Sequence, residues 1–334
     1  MKQFLLTLIA MMATTVSYAQ NNLVAVLSHD SEVQMFYGSS ALINAVDAAV
    51  SGDVITLSGG TFGWAKITKG ITIRGAGADV ENPTILGSSN KEYNIAIPTD
   101  DNNRFVMEGV RILIGGSNYL YINSGNLYFL KCLFESQVHF QSSSTAEVKY
   151  VNCSMTRFSL NGSSNVKLSN CKLTGFTNAS GSTSKAEFFN CYLADNNQSS
   201  YYRSSFVNCV LMSTTRYAQG SLATDVTAMN CAMINMDGGT QIDCYQTTVQ
   251  QLFANYGTST DQYGSLFYWP STDELSEEAK TTYFGTDGKE VGMFGGQYPY
   301  DLTPTYPLIT KLNVAKQATA DNKLSVEIEV SANE

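Results

Sequence analysis

The chain has 334 residues, with 20 Lys and Arg against 29 Asp and Glu, for a formal net charge of −9. That balance excludes the basic surfaces that hold nucleic acid or anionic membranes, and it disfavours an acidic polysaccharide unless basic groups cluster locally. The length suits one solenoid or two small domains, and the lack of an interrupting linker favours one.

Residues 1–19, MKQFLLTLIAMMATTVSYA, join an early Lys to an apolar centre and a small-residue end. They read as a secretory signal cut after Ala19, which sends the mature chain to the periplasm, the cell surface or the medium. Loss of Lys2 takes the charge from −9 to −10. No later stretch is apolar for long enough to span a bilayer.

Residues 20–38 form an N-terminal segment. Next, Ala41, Leu42, Ala45, Val46 and Ala49 recur at helical spacing, which predicts a capping helix with Ser39 or Ser40 at its start and Gly52 at its end. Extended runs follow in GDVITLSGGTF, KITKGITIRGAG and NPTILGSS. An amphipathic helix, then Gly52-Asp53-Val54-Ile55-Thr56-Leu57, Gly60-Thr61-Phe62 and Ile71-Thr72-Ile73-Arg74-Gly75-Ala76-Gly77, resembles the start of right-handed parallel β-helices of the pectin-lyase-like superfamily. The resemblance covers residues 39–250. It implies a fold and leaves activity open, because that superfamily includes lyases, hydrolases, esterases, adhesins and inert scaffolds.

A beat then sets in. Cys132, Cys153, Cys171, Cys191, Cys209 and Cys231 lie 21, 18, 20, 18 and 22 residues apart, and Asn152, Asn170, Asn190, Asn208 and Asn230 stand directly before the last five. Such a period marks a solenoid. It is too short for a βαβ unit, which needs about 30 residues. Around each Cys, polar and apolar residues alternate, as they do in strands with one buried face. The Asn falls between two strands, where its tolerance of the left-handed conformation allows a sharp turn. Val110 takes the Cys place one coil earlier, with Gly109 at the turn. Stacked about 4.8 Å apart, the Asn side chains are placed to hydrogen-bond along the axis as a ladder. The Cys form a column of buried free thiols, since parallel Cβ atoms at that spacing exceed the roughly 3.8 Å a disulfide wants. The fold expected is all-β: a single-stranded right-handed parallel β-helix with an N-terminal capping helix and a C-terminal β-hairpin.

The beat is lost in residues 251–300, which are rich in Tyr, Gly and Phe and are expected to close the bottom of the helix. Residues 301–334 read as a tail of two strands turning at Asp321-Asn322. Such tails resemble those of secreted bacterial β-helix proteins of unassigned function. The outward residues Val210, Met212, Ala232 and Ile234 would form a bare apolar patch and are expected to be covered from within the chain.

Catalytic signals are sparse. Polygalacturonase-like hydrolases resemble one another in an Asn-Thr-Asp segment, an Asp pair, a His-Gly and an Arg-Ile-Lys, none of which stands here in suitable order. Asp100-Asp101 reads as a solvated turn, not as the carboxylate pair of a glycosidase. Calcium-dependent lyases need several carboxylates beside an Arg or Lys, whereas the outward positions beside the Cys column carry only Glu135. The row Lys149, Lys167, Glu187 reads as a surface salt bridge. Neither His29 nor His139 has a metal-ligand partner, so no metal site is assigned. His139 reads as an outward surface residue. A loop-borne patch of Arg157, Tyr201, Tyr202, Arg203, Arg216 and Tyr217 is a candidate for binding sugar or anion. The reading is a secreted, non-catalytic protein that binds glycan or another surface component, or acts as an extracellular scaffold. The alternative is a polysaccharide lyase or glycoside hydrolase with a shallow site, which alone would require Ca²⁺.

Overall fold

The computed structural model describes residues 23–306 apart from 88–92, 99, 115–118, 196–200, 214–219 and 261–265, together with strands Leu308–Val314 and Val326–Ser331. Residues 1–19, read as a secretory signal, and the turn expected at Asp321-Asn322 lie outside the described residues. The chain winds into a β-solenoid with three parallel stacked sheets. The first sheet holds strands that lead into the turn, such as Glu147–Val151 and Asn165–Ser169. The second holds those that leave it, such as Ser154–Met155 and Lys172–Leu173. The third holds Tyr93–Ala96, Tyr119–Ser124, Gln137–Phe140, Phe158–Leu160 and Phe176–Asn178.

Alternation in the sequence becomes an inside and an outside. Val148 and Tyr150 face in, while Glu147 and Lys149 face out. Register is one to one, so Tyr150 pairs with Leu168, Leu168 with Phe188 and Phe188 with Phe206. Like rings therefore stack: Phe129 on Tyr150 at 4.9 Å between centroids and Phe188 on Phe206 at 4.6 Å.

The turn column is as expected. Asn152, Asn170, Asn190, Asn208 and Asn230 have φ of 51°, 51°, 50°, 58° and 49°, and Lys131 and Gly109 hold the same corner at 54° and 63°. Each of these backbone N–H groups donates to the next rung, as from Asn152 N to Ser169 O at 3.1 Å. The column also runs one rung further than the Asn-Cys beat. Asp243 (φ 49°) turns the chain and Cys244 follows, 13 residues after Cys231. Tyr245–Thr247 pairs there with Ala232–Ile234.

All seven thiols are free, and the six from Cys132 to Cys231 are buried. Their Sγ atoms donate to main-chain carbonyls, as from Cys153 to Val151 O at 3.4 Å. Burial pushes the Cys153, Cys171, Cys191, Cys209 and Cys231 thiols well up. Thiolate is the reactive form. A maleimide should therefore label the native protein slowly and at Cys244 alone, the one half-exposed thiol; rapid labelling of several thiols would refute the column.

A second axial column escaped the sequence reading. Ser144, Ser164, Ser184 and Ser204 recur every 20 residues and are buried where the third sheet turns into the first. Ala146 N donates to Ser164 Oγ at 2.9 Å and Ser164 N to Ser184 Oγ at 2.8 Å.

At the N-terminal end, helix α1 (Ala41–Ala48) buries Ala41, Leu42, Ala45 and Val46. Ser40 stands at its N-cap without a side-chain bond, and the helix ends at Ala49, before Gly52. Gly52, at φ +100°, belongs to the following turn. A hairpin not foreseen in residues 20–38 completes this cap. Its strands Val24–His29 and Glu32–Tyr37 pair antiparallel, and the first pairs with Val54–Leu57.

Where residues 251–300 were expected to close the bottom of the solenoid, the described residues of 249–293 pack along its side. Helices α2 (Val249–Leu252) and α3 (Glu277–Thr282) lie over the second sheet. Leu252, Phe253, Leu275, Ala279, Val291 and Met293 pack on Val210, Met212, Ala232 and Ile234 as a second core, the cover expected for that patch. The reason is area: an apolar outer face several rungs long offers more to bury than the end of the stack does.

The chain then runs back up the turn column as a strap. Thr286 N donates to Asn208 Oδ1 at 2.8 Å. Asn170 Nδ2 donates to Met293 O at 2.9 Å and Gly295 O at 2.8 Å. Asn152 Nδ2 reaches Pro299 O at 3.2 Å, and Lys131 Nζ meets Asp301 Oδ2 at 2.8 Å. Thr305 N donates to Glu108 Oε1 at 2.8 Å, and Arg74 lies over the Tyr306 ring. The Asn ladder thus exists as a stacked column, but these side-chain bonds run to the strap and not along the axis. The strap is irregular, so its carbonyls lack sheet partners, and the carboxamides supply them. Beyond it, Leu308–Val314 and Val326–Ser331 pair antiparallel.

Candidate functional site

The third sheet presents a flat outer face. Leu120, Ile122, Val138, Phe140, Phe158 and Leu160 fill the core from it. Strand alternation turns the residues between them outward. Tyr121 pairs with His139 and Tyr119 with Gln137, while Ser159 follows His139 and Thr177 follows Ser159. Three half-buried rings meet there: Tyr119 and His139 at 5.4 Å, Tyr121 and His139 at 5.7 Å, and Tyr119 and Tyr121 at 5.8 Å. Asn123 Nδ2 bonds Asn94 Oδ1 at 3.1 Å beside them, while Asn123 Oδ1 is buried with no partner. Arg157 edges this face one rung down; its carbonyl accepts from Val138 N at 2.9 Å and its side chain is exposed.

Such a face can stack the apolar sides of flat ring ligands and bond their hydroxyls through Gln137, Ser159 and Thr177. Burial pulls the His139 imidazole below its ordinary value, so it is neutral at pH 7.

Of the six residues proposed from sequence, the four that are described do not form one patch. Tyr201 is 1% exposed and packs against Phe176 and Phe206, as part of the core. It takes the inward position of its rung, where a Tyr ring fills space that a ligand cannot reach. Arg203 is a turn residue at φ 51°. Its guanidinium donates to Ala179 O at 2.6 Å, pairs with Asp225 at 3.7 Å and lies over the Tyr202 ring. Arg216 and Tyr217 lie outside the described residues. Among the four described, Arg157 alone reaches the third-sheet face.

Tyr119 and Tyr121 went unnoticed. Tyr121, His139, Ser159 and Thr177 form one row, yet they stand 11, 14, 12 and 14 residues before the next Cys. Variable corners shift the count, so positions measured from the Cys lose register on the third side.

Charged groups elsewhere have structural partners. Glu135 pairs with Arg111, and Lys172 with Asp273. Lys167 meets Glu187 at 2.9 Å, and Lys149 lies over Tyr128. Asp101 accepts from Ser51 Oγ at 2.6 Å and from Gly70 N at 2.8 Å, bonds that hold its carboxyl below the usual range. It is thus more a staple for the first rungs than a solvated turn residue. No group of three metal-ligating side chains occurs among the described residues, and no described helix is long and apolar enough to cross a membrane.

No protein-family model matches this chain, and no curated protein is significantly similar to it.

The two His should titrate in opposite directions. Asp53, bonded to His29 Nδ1 at 2.6 Å, raises the His29 imidazole, whereas burial lowers His139. The His29 contribution to stability is complete below about pH 6.5 and is lost as pH rises through its folded value. The His139 penalty appears as pH falls from about 6.5 toward its folded value. NMR titration of the two imidazoles checks this; a shared midpoint would refute both environments.

Proposed function

We propose that this chain is a secreted, non-catalytic β-solenoid that binds glycan through the outer face of its third sheet. The observation that carries the reading is the ring cluster of Tyr119, Tyr121 and His139, set among hydroxyl and amide side chains on a flat, rigid wall. The likeness of residues 39–250 to pectin-lyase-like β-helices and the leader read at residues 1–19 support the same reading, since both suit work outside the cell. The acidic balance of the chain points to a neutral polysaccharide.

Affinity electrophoresis of the chain lacking residues 1–19, in gels cast with neutral and acidic polysaccharides, tests the proposal. Retardation by a neutral polymer, abolished in Tyr119→Ala/Tyr121→Ala, is expected. Retardation by no polymer, or equal retardation of the variant, counts against it. The same polysaccharides incubated with the protein, with and without Ca²⁺, should remain intact; release of unsaturated oligosaccharides would establish a lyase instead.

A further inference from the structure

A cleft of about 350 Å³ opens beside helices α2 and α3, remote in sequence from the third-sheet strands. The volume lies within the usual range of small-ligand sites, roughly 300–1,000 Å³. Its floor is apolar, made by the buried Phe253 and Ala279. Its walls are polar: Gln250 and Gln251 on one side, Glu278 on the other, with the exposed ring of Tyr256 among the lining residues.

Two of these polar groups are unspent. Among the described residues, the Gln250 carboxamide and the Glu278 carboxylate have no hydrogen-bond or ion-pair partner. Gln251 commits its carbonyl oxygen to the Thr248 hydroxyl at 3.2 Å. Lys280, the cation on α3, is held by Glu277 at 2.8 Å and Glu274 at 3.5 Å. The lining therefore offers a carboxylate, amides and an aromatic ring, but no cation. An anionic ligand would meet Glu278 without compensation, and a purely apolar one would strip water from polar walls for nothing. A ligand with one apolar side and several hydroxyls satisfies both surfaces.

We propose that this cleft binds the terminal ring of a neutral sugar. The ring lies on Phe253 and Ala279 beside Tyr256, and its hydroxyls bond the Gln250 carboxamide and the Glu278 carboxylate. A single carboxylate lacks the second one that glycoside hydrolysis requires, so the site holds the sugar and does not cut it. The cleft shares no residue with the third-sheet face, so either site can fail while the other stands.

Saturation-transfer NMR on the chain lacking residues 1–19 tests this with glucose, galactose, mannose and their β-linked disaccharides, and with glucuronate as the charged control. Saturable binding of at least one neutral sugar is expected, with none for glucuronate. Gln250→Ala and Glu278→Gln should each weaken it by about tenfold, the loss that goes with one hydrogen-bonding group. Both positions are exposed, so the variants should keep the circular dichroism of the parent. Lys167→Ala, on the outer face of the first sheet and in neither site, should leave this binding unchanged. The proposal is overturned if no neutral sugar saturates, or if both cleft variants bind as the parent does.

Discussion

Asn170→Ala should destabilise the protein by about 2–5 kcal/mol, from two separable losses. Asn170 sits at φ 51°, a conformation that costs an ordinary side chain roughly 1–2 kcal/mol. Its Nδ2 also donates to Met293 O and Gly295 O in a buried setting, and leaving buried acceptors unpaired costs about 1–3 kcal/mol. Asn170→Gly keeps the turn and loses only the bonds, so it should recover roughly half of the loss. Asn170→Asp should be the worst at neutral pH, because a carboxylate would face two carbonyl oxygens with no proton between them. Urea unfolding of the three variants orders them. If the glycine variant is as stable as the parent, the bonds to the strap contribute nothing.

The second large effect lies under the cover. Ala232 is fully buried between the second sheet and residues 249–293. Ala232→Asp places an unpaired charge there, at about 3–5 kcal/mol. It should also lift the cover and open residues 271–274 to protease at temperatures where the solenoid is still folded. Ala254→Asp, on the exposed side of the same segment, should change stability by less than about 0.5 kcal/mol. Equal behaviour of the two variants would mean that the second core does not hold the cover on.

The first and second sheets were legible because one corner is conformationally demanding. A left-handed turn followed by an inward small residue favours Asn-Cys, which fills five of the eight corners, and that pair can be counted. Asp243-Cys244 escaped the count because its rung is short and its turn residue differs. The Ser column escaped although its period is regular, since Ser is common and reads as loop. The third side was illegible for a different reason: a corner of varying length separates it from the next Cys, so Tyr121 and His139 share a row without sharing an offset. The apolar outward positions announced a cover, but not the path of the strap. Its bonds join residues 123, 125, 147 and 197 positions apart, and no local pattern encodes such partners. Tyr201 and Arg203 misled for the converse reason: residue type suggested a ligand site, where burial and backbone conformation had assigned each a structural task.

The strap also changes what kind of object the solenoid is. A bare stack touches only its nearest neighbours, so rungs can fray one at a time and stability grows by increments with length. Here one segment grips rungs from Arg74 to Asn208, and opening any of them disturbs a segment shared by the rest. Unfolding should therefore be close to all-or-none. Closing loops this long adds little more entropy than closing shorter ones, because the cost grows only with the logarithm of length. The order of events changes more. The strap is synthesised after the rungs it grips, so rungs made early must wait for residues 284–306 before the structure locks. A nascent chain stays open to fraying until those residues have emerged.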